Sequence, residues 1–229
     1  MKYTKPTYLA FYLSTISMLV LAFFLEKADL VYVYPLPVLA IFSIYLTEKK
    51  QSLSFLYTLS LAIIIIGGIL LLLGLREYVS EVSILFSFFY IFFMRLMYLK
   101  NRRQQKYRVL YFRLILIVLP ILYIYDRVMC LVYEEIRDTF IYFSVLIILV
   151  LIYIILSLYY YLRNKNQANL WMLITSCNLG FMNIIITINE LYVSETIFTV
   201  ISLFCYSMML YFSLKFMLED TKNSLSNIV

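Results

Sequence analysis

A chain of 229 residues that is 64% hydrophobic and only 14% charged, with a mean hydropathy of +0.91, has too little polar surface to cover a water-soluble globule. Its net charge of +6 is carried without a single histidine. That absence excludes Ser-His-Asp and Cys-His catalysis, His-containing zinc sites and imidazole-ligated haem, and no GxSxG, GxxxxGK or GxGxxG motif offers an esterase elbow or a nucleotide cradle.

In chain order, apolar runs cover Thr7–Leu25, Val31–Leu46, Leu53–Leu75, Val82–Leu99, Val109–Tyr125, Thr139–Leu162, Ala168–Leu191 and Thr196–Leu218. Most match the roughly 17 to 25 residues that a helix needs to cross about 30 Å of hydrocarbon; the second is the shortest. Backbone groups in lipid must be satisfied within a helix or a closed barrel, and no alternating ten-residue pattern occurs. The expected architecture is therefore an all-α polytopic membrane protein, one bundle of eight transmembrane helices in a single domain spanning 1–229. The first run follows Lys2 and Lys5 as a signal peptide would, but "LAFFLEKADL" carries no small-residue cleavage site, so it reads as a helix.

Cations test the orientation. With the N-terminus in the cytosol, Lys2, Lys5, Lys49, Lys50, Lys100, Arg102, Arg103, Lys106, Arg108, Arg163, Lys165 and Lys222 fall inside, and only Lys27, Arg76, Arg127 and Arg137 fall outside. This bias places both termini in the cytosol and the chain in an inner or plasma membrane. The positive charge then reads as topology and attraction to anionic lipid; no nucleic-acid partner is expected.

No carboxylate lies in the middle of a run, which weighs against a proton- or cation-coupled transporter. The cysteines, Cys130, Cys177 and Cys205, show no paired spacing and read as free packing residues. The loop carboxylates have no metal-ligand spacing, so no metal or other cofactor is expected.

Polar groups inside the runs are more informative. Arg95 interrupts "SFFYIFFMRLMYLKN" about 7 Å before Lys100 at ~1.5 Å per residue, within reach of a snorkelling guanidinium. It reads as an interfacial anchor or as a ligand for a lipid phosphate, with Tyr98 one turn away suited to either. In "ITSCNLGFMNIIITINELY", Ser176, Gly180, Asn183, Thr187 and Glu190 recur at helical spacing on one face, a packing seam or one wall of a lipid-headgroup or substrate cavity. Thr199, Ser202, Tyr206 and Ser213 form a similar stripe, and Gly67-Gly68 marks close packing in the third run.

The order of these residues resembles the YhhN-like membrane family, the lysoplasmalogenases. That pattern has Lys-Pro-Leu near the second span, Gly-Asp in the third, His-x-x-Tyr closing the fourth, Ser-Asp or Ser-Asn in the seventh and a Tyr in the eighth. Here "VYPLPVLA" supplies Pro35-Leu36 with Tyr34 in place of the lysine, and "IIGGILLLLG" keeps Gly67 with Gly68 in place of the aspartate. "FFMRLMY" keeps Tyr98 with Arg95 in place of the histidine, "FMNIIITINEL" sets Met182-Asn183 on the Ser-Asp/Asn pair, and "LFCYSMMLYF" keeps Tyr206.

The resemblance implies hydrolysis of the vinyl-ether bond of lysoplasmalogens, with Pro35, Gly68, Arg95, Tyr98 and Tyr206 as substrate-binding residues and Asn183 as a catalytic residue that orients water or headgroup. The reaction needs a proton donor, and neither Gly68 nor Asn183 is one. Glu190, seven residues beyond Asn183, is the nearest acid on that face and the candidate donor; its alternative role is an ordinary solvated helix end. The expected partners are membrane lipids, including lysophospholipid. Two other functions remain open: a non-catalytic lipid-binding or transport protein, and a structural or signalling partner of another membrane protein.

Overall fold

A computed structural model describes residues 6–49, 53–102 and 111–219. Among them there is no strand, and the chain forms eight α-helices: α1 (Pro6–Leu21), α2 (Pro35–Glu48), α3 (Phe55–Gly74), α4 (Val79–Asn101), α5 (Tyr111–Val132), α6 (Phe140–Arg163), α7 (Gln167–Ile188) and α8 (Thr196–Leu218). Seven helical segments are long and apolar enough to cross a membrane, and α1 is a shorter apolar helix. The expected interior positions of Lys2, Lys5, Lys50, Arg103, Lys106, Arg108 and Lys222 lie outside the described residues.

Local chemistry sets most of the boundaries. The second run is short because Pro35, suited to the first turn of a helix, separates α2 from a preceding 3₁₀ turn, Lys27–Tyr32; together these make an apolar segment of 22 residues. α3 ends at Gly74, whose φ of +146° is a conformation that side chains oppose. Asn166 caps α7 by accepting the Asn169 amide at 2.7 Å. The fifth helix runs further than the expected Val109–Tyr125, through Asp126, Arg127 and Cys130 to Val132.

Packing closes a ring in the order α1, α2, α3, α4, α6, α7, α8, with α8 returning to α1 and α2 and with α5 against α6 and α7 outside the ring. Fully buried aromatic rings fill its centre: Tyr45 meets Tyr57 at 4.8 Å, Phe89 meets Phe93 at 4.6 Å and Tyr90 meets Tyr153 at 5.5 Å between centroids. Outward faces are apolar too, with Leu13, Ile16, Ile115, Leu116, Leu119, Ile141 and Ile148 among the exposed side chains.

One buried polar node ties α4, α6 and α7 together near their Asn101, Arg163 and Gln167 ends. Asn101 and Asn169 exchange amide hydrogen bonds at 3.0 Å in each direction, and Asn169 also donates to the Tyr160 and Asn164 carbonyls at 3.1 Å. Each amide supplies the donor for the other's buried side-chain oxygen. Asn169→Leu is expected to cost about 1–3 kcal/mol by leaving the buried Asn101 Oδ1 without its donor, and the double variant Asn101→Leu/Asn169→Leu is expected to regain part of that loss. Thermal unfolding of the two purified variants beside the parent checks this.

Candidate functional site

At the opposite end of the ring, the 3₁₀ turn, α3, α4, α7 and α8 enclose a cavity of about 30 Å³. Its walls include Lys27, Tyr34, Gly68, Glu190, Thr199, Ser202 and Tyr206. The space is enough for about two water molecules. Three of the catalytic and substrate-binding residues expected from the sequence, Gly68, Glu190 and Tyr206, come from three different helical segments to this one cavity.

Tyr34 explains the glycine. A Cβ built on Gly68 would lie 2.1 Å from the Tyr34 Oη and Cζ atoms, so the phenol end occupies the space that a side chain at position 68 would take. The Tyr34 ring stacks on Tyr206 at 4.5 Å with planes 16° apart, and the Tyr206 hydroxyl donates to the Tyr34 carbonyl at 3.5 Å. Pro35, half-buried, follows at the first turn of α2 and holds the chain direction there. The two positions at which this chain departs from the lysine and the aspartate of the YhhN-like pattern are therefore in direct contact.

Glu190 is not a solvated helix end. Its carboxylate pairs with the Lys27 ammonium, and the two side chains are only 11% and 28% exposed. The backbone delivers it through a wider turn: α7 passes at Asn189–Val193 into one π turn, the kind of bulge that re-aims side chains. Ser194 closes this turn at φ 58°, its amide donating to the Asn189 carbonyl at 2.8 Å. The Asn189 side chain then fastens the turn to α8, accepting from the Glu195 amide at 2.7 Å and donating to Thr199 Oγ1 at 3.0 Å.

Beyond the ion pair lies a second, more open and more polar recess of about 160 Å³, walled by Ala22, Leu25, Leu30, Asn189, Ser194, Glu195 and Thr196. Lys27, Glu190 and Thr199 border both spaces, so they form the partition between the inner cavity and the outer recess.

The remaining candidates lie elsewhere. Asn183 borders an adjoining space of about 20 Å³ with Phe86, Met182 and Thr187, and both of its amide hydrogens are committed, to Tyr90 Oη at 2.7 Å and to the Leu179 carbonyl at 2.8 Å. Its Oδ1 is what remains to orient a water. Arg95 and Tyr98 are exposed on α4, the guanidinium 5.5 Å from the ring centroid, and neither borders the three spaces described. Along the rest of the polar face of α7, Ser176 bonds Ser157 at 2.5 Å, Gly180 accepts from the Tyr125 hydroxyl at 3.0 Å, and a Cβ at Gly180 would meet Ile154 at 2.7 Å. Those two residues are seam; the cavity begins further along the helix.

Sequence reasoning missed Lys27, Tyr34, Asn189 and Thr199 as site residues. Lys27 had a signal, being one of only four cations assigned to the far side. Asn189 carried none, because its role depends on the π turn.

No protein-family model, curated protein or solved structure matches this chain.

Proposed function

We propose that this chain is a multi-pass protein of the cytoplasmic or plasma membrane, with eight spans and both termini cytosolic, that hydrolyses the vinyl-ether bond of lysoplasmalogens at the cavity between Gly68, Glu190 and Tyr206. The observation that carries the reading is the presence of the Glu190 carboxyl in the same cavity as Gly68 and Tyr206. The YhhN-like pattern has a lysine at the Tyr34 position and an acid at the Gly68 position; this chain brings a lysine and an acid to the same cavity from Lys27 and Glu190.

The chemistry assigns the parts. Protonated Glu190 gives its proton to the vinyl carbon two bonds from the ether oxygen, leaving an oxocarbenium-like carbon next to that oxygen. The resulting carboxylate then takes a proton from water as that water's oxygen bonds to the cationic carbon. The hemiacetal so formed collapses, its hydroxyl proton passing to the departing ether oxygen, to give a fatty aldehyde and a glycerophospho-base. Thr199, Ser202 and Tyr206 supply hydroxyl groups around the space the water would occupy. An ion-paired carboxylate only accepts hydrogen bonds, so Glu190 has to leave Lys27 before it can act as the acid.

The test is direct. Detergent-purified protein is incubated with lysoplasmalogen and, separately, with an ester lysophospholipid, and aldehyde and fatty acid are followed. Aldehyde from the vinyl ether alone supports the reading; release from neither, by folded and monodisperse protein, rejects it. The second reading is a non-catalytic lipid-binding or transport protein, favoured by the seating of Tyr34 against Gly68, which leaves the cavity only water-sized. Phospholipid retained through purification without turnover would select it.

The orientation is tested separately. A fluorescent-protein fusion after Val229 is expected to glow, and an alkaline phosphatase fusion at the same point to be inactive. The reverse pattern would put the C-terminus on the far side.

A further inference from the structure

α5 stands outside the ring and is the least covered of the seven long apolar segments, 22% buried where the other six are 39% or more. Its buried residues, Val118, Tyr125, Val128 and Val132, form one narrow line towards α6 and α7. At about 100° per residue, Leu116, Tyr123 and Cys130, each seven residues from the next, run along the opposite line, and all three are exposed. Asp126 and Arg127, also exposed, fall on either side of that outward line.

These two charges are not at a helix end. α5 continues to Val132, so Asp126 lies about 9 Å and Arg127 about 7.5 Å inside it at ~1.5 Å per residue. The hydroxyl of the neighbouring Tyr125 bonds the Gly180 carbonyl, eight residues before the end of α7. Side chains on a helix lean towards its N-terminus, which on α5 points away from the nearer end. Arg127 follows that lean, its guanidinium 5.1 Å from the ring centroid of Tyr123, whereas Arg95 on α4 reaches towards Tyr98 and the nearer end. Adjacent residues of a helix do not face each other, so Asp126 and Arg127 cannot neutralise one another on a single copy. No other cation pairs with Asp126 among the described residues. Charged side chains within a span are costly in lipid and are met by a partner group or by water in a protein interior, yet α5 turns both of these away from the bundle.

We propose that the outward face of α5 is a dimer interface, covered by a second copy of this chain. Two copies in one membrane share an orientation, so the axis relating them is a two-fold along the membrane normal and the two α5 helices run parallel. Such an axis sets the left flank of one helix against the right flank of the other. Asp126 of each copy then meets the partner's Arg127, which makes two ion pairs per dimer, while Leu116, Tyr123 and Cys130 meet their own counterparts along the seam. A different protein would have to bring a cation and a carboxylate of its own in the matching order; a second copy has them by symmetry. The inference requires that the chain spans a membrane and is independent of the hydrolase reading.

Cysteine cross-linking in the membrane tests this, because Cys130 lies on the seam. In the full chain carrying Cys177→Ser and Cys205→Ser, Cys130 is the one cysteine left, and oxidation with copper phenanthroline is expected to give a disulfide-linked dimer on a non-reducing gel. The comparison protein carries Cys130→Ser and Ile197→Cys as well, which moves the thiol to an exposed position near the start of α8. It reports chance collisions and is expected to cross-link at least about tenfold less, since no interface holds its thiols together. Asp126→Arg sets cations against cations and is expected to lower the Cys130 dimer at least about fivefold. Asp126→Arg/Arg127→Asp restores opposite charges across the seam and is expected to regain most of that loss, which a misfolded protein would not do. Cross-linking at Cys130 no greater than at Ile197→Cys, or untouched by Asp126→Arg, overturns the interface. Cross-linking of Cys130 to a chain of different mass gives the face to another membrane protein and overturns the second copy.

Discussion

Glu190→Gln is expected to lower the rate of aldehyde release by about 10²-fold or more, equivalent to at least about 2.7 kcal/mol of transition-state stabilisation. Glutamine fills nearly the same volume and still offers an oxygen to Lys27, but it cannot donate the proton that attack on a vinyl ether requires. The competing explanation is that Glu190 matters only as the counter-ion that keeps Lys27 satisfied in a mostly buried place. The two are separated by Lys27→Met/Glu190→Gln. If Glu190 is a structural partner, removing both charges restores the rate; if it is the acid, the double variant stays as slow as Glu190→Gln. Glu190→Asp supplies a third point, keeping the proton but drawing it back by one methylene, and should fall between parent and glutamine. A Glu190→Gln protein that releases aldehyde at the parental rate would remove this residue from the chemistry.

The helices were legible because hydropathy and the need to satisfy every backbone group in lipid leave few choices. The eighth run and α8 coincide at Thr196–Leu218, and the third and sixth differ from α3 and α6 by only a few residues. The second run was harder to read, since its length is shared between a 3₁₀ turn and a helix that Pro35 divides. The site was legible only in pieces. Helical spacing placed Asn183 and Glu190 on one face, but an ideal helix carries that face straight on, whereas the π turn at Asn189 shifts the last polar group towards Lys27. Lys27 itself is far from Glu190 in the chain, and nothing in a single sequence pairs them. Arg95 shows the opposite case. The distance from Lys100 is local information that a count of residues supplies, and the exposed guanidinium beside Tyr98 suits an interfacial anchor and a phosphate ligand alike.

Gly68→Asp, which installs the acid that the YhhN-like pattern has at the corresponding place, is expected to damage the protein when made alone. The first atom of the new side chain would fall 2.1 Å from two atoms of Tyr34, and that ring cannot simply withdraw, because it is stacked on Tyr206 and buried. Overpacking of this kind costs about 1–3 kcal/mol, and the carboxylate adds the cost of an unpaired charge away from water. Tyr34→Lys/Gly68→Asp is expected to recover much of the loss, since the ring is gone and the ammonium can reach the carboxylate. In a double-mutant cycle read by thermal unfolding, the coupling between the two positions should therefore be favourable by about 0.5–3 kcal/mol. Such coupling would mean that Tyr34 and the residue at position 68 compete for one space, and it would fit the alignment of Tyr34 and Gly68 with the lysine and the aspartate of the YhhN-like pattern. Strict additivity would mean that the two positions are unrelated, and the alignment of Tyr34 and Gly68 with that pair would lose its support. The cycle reads the origin of the cavity independently of any turnover, because it asks only whether two side chains compete for one space.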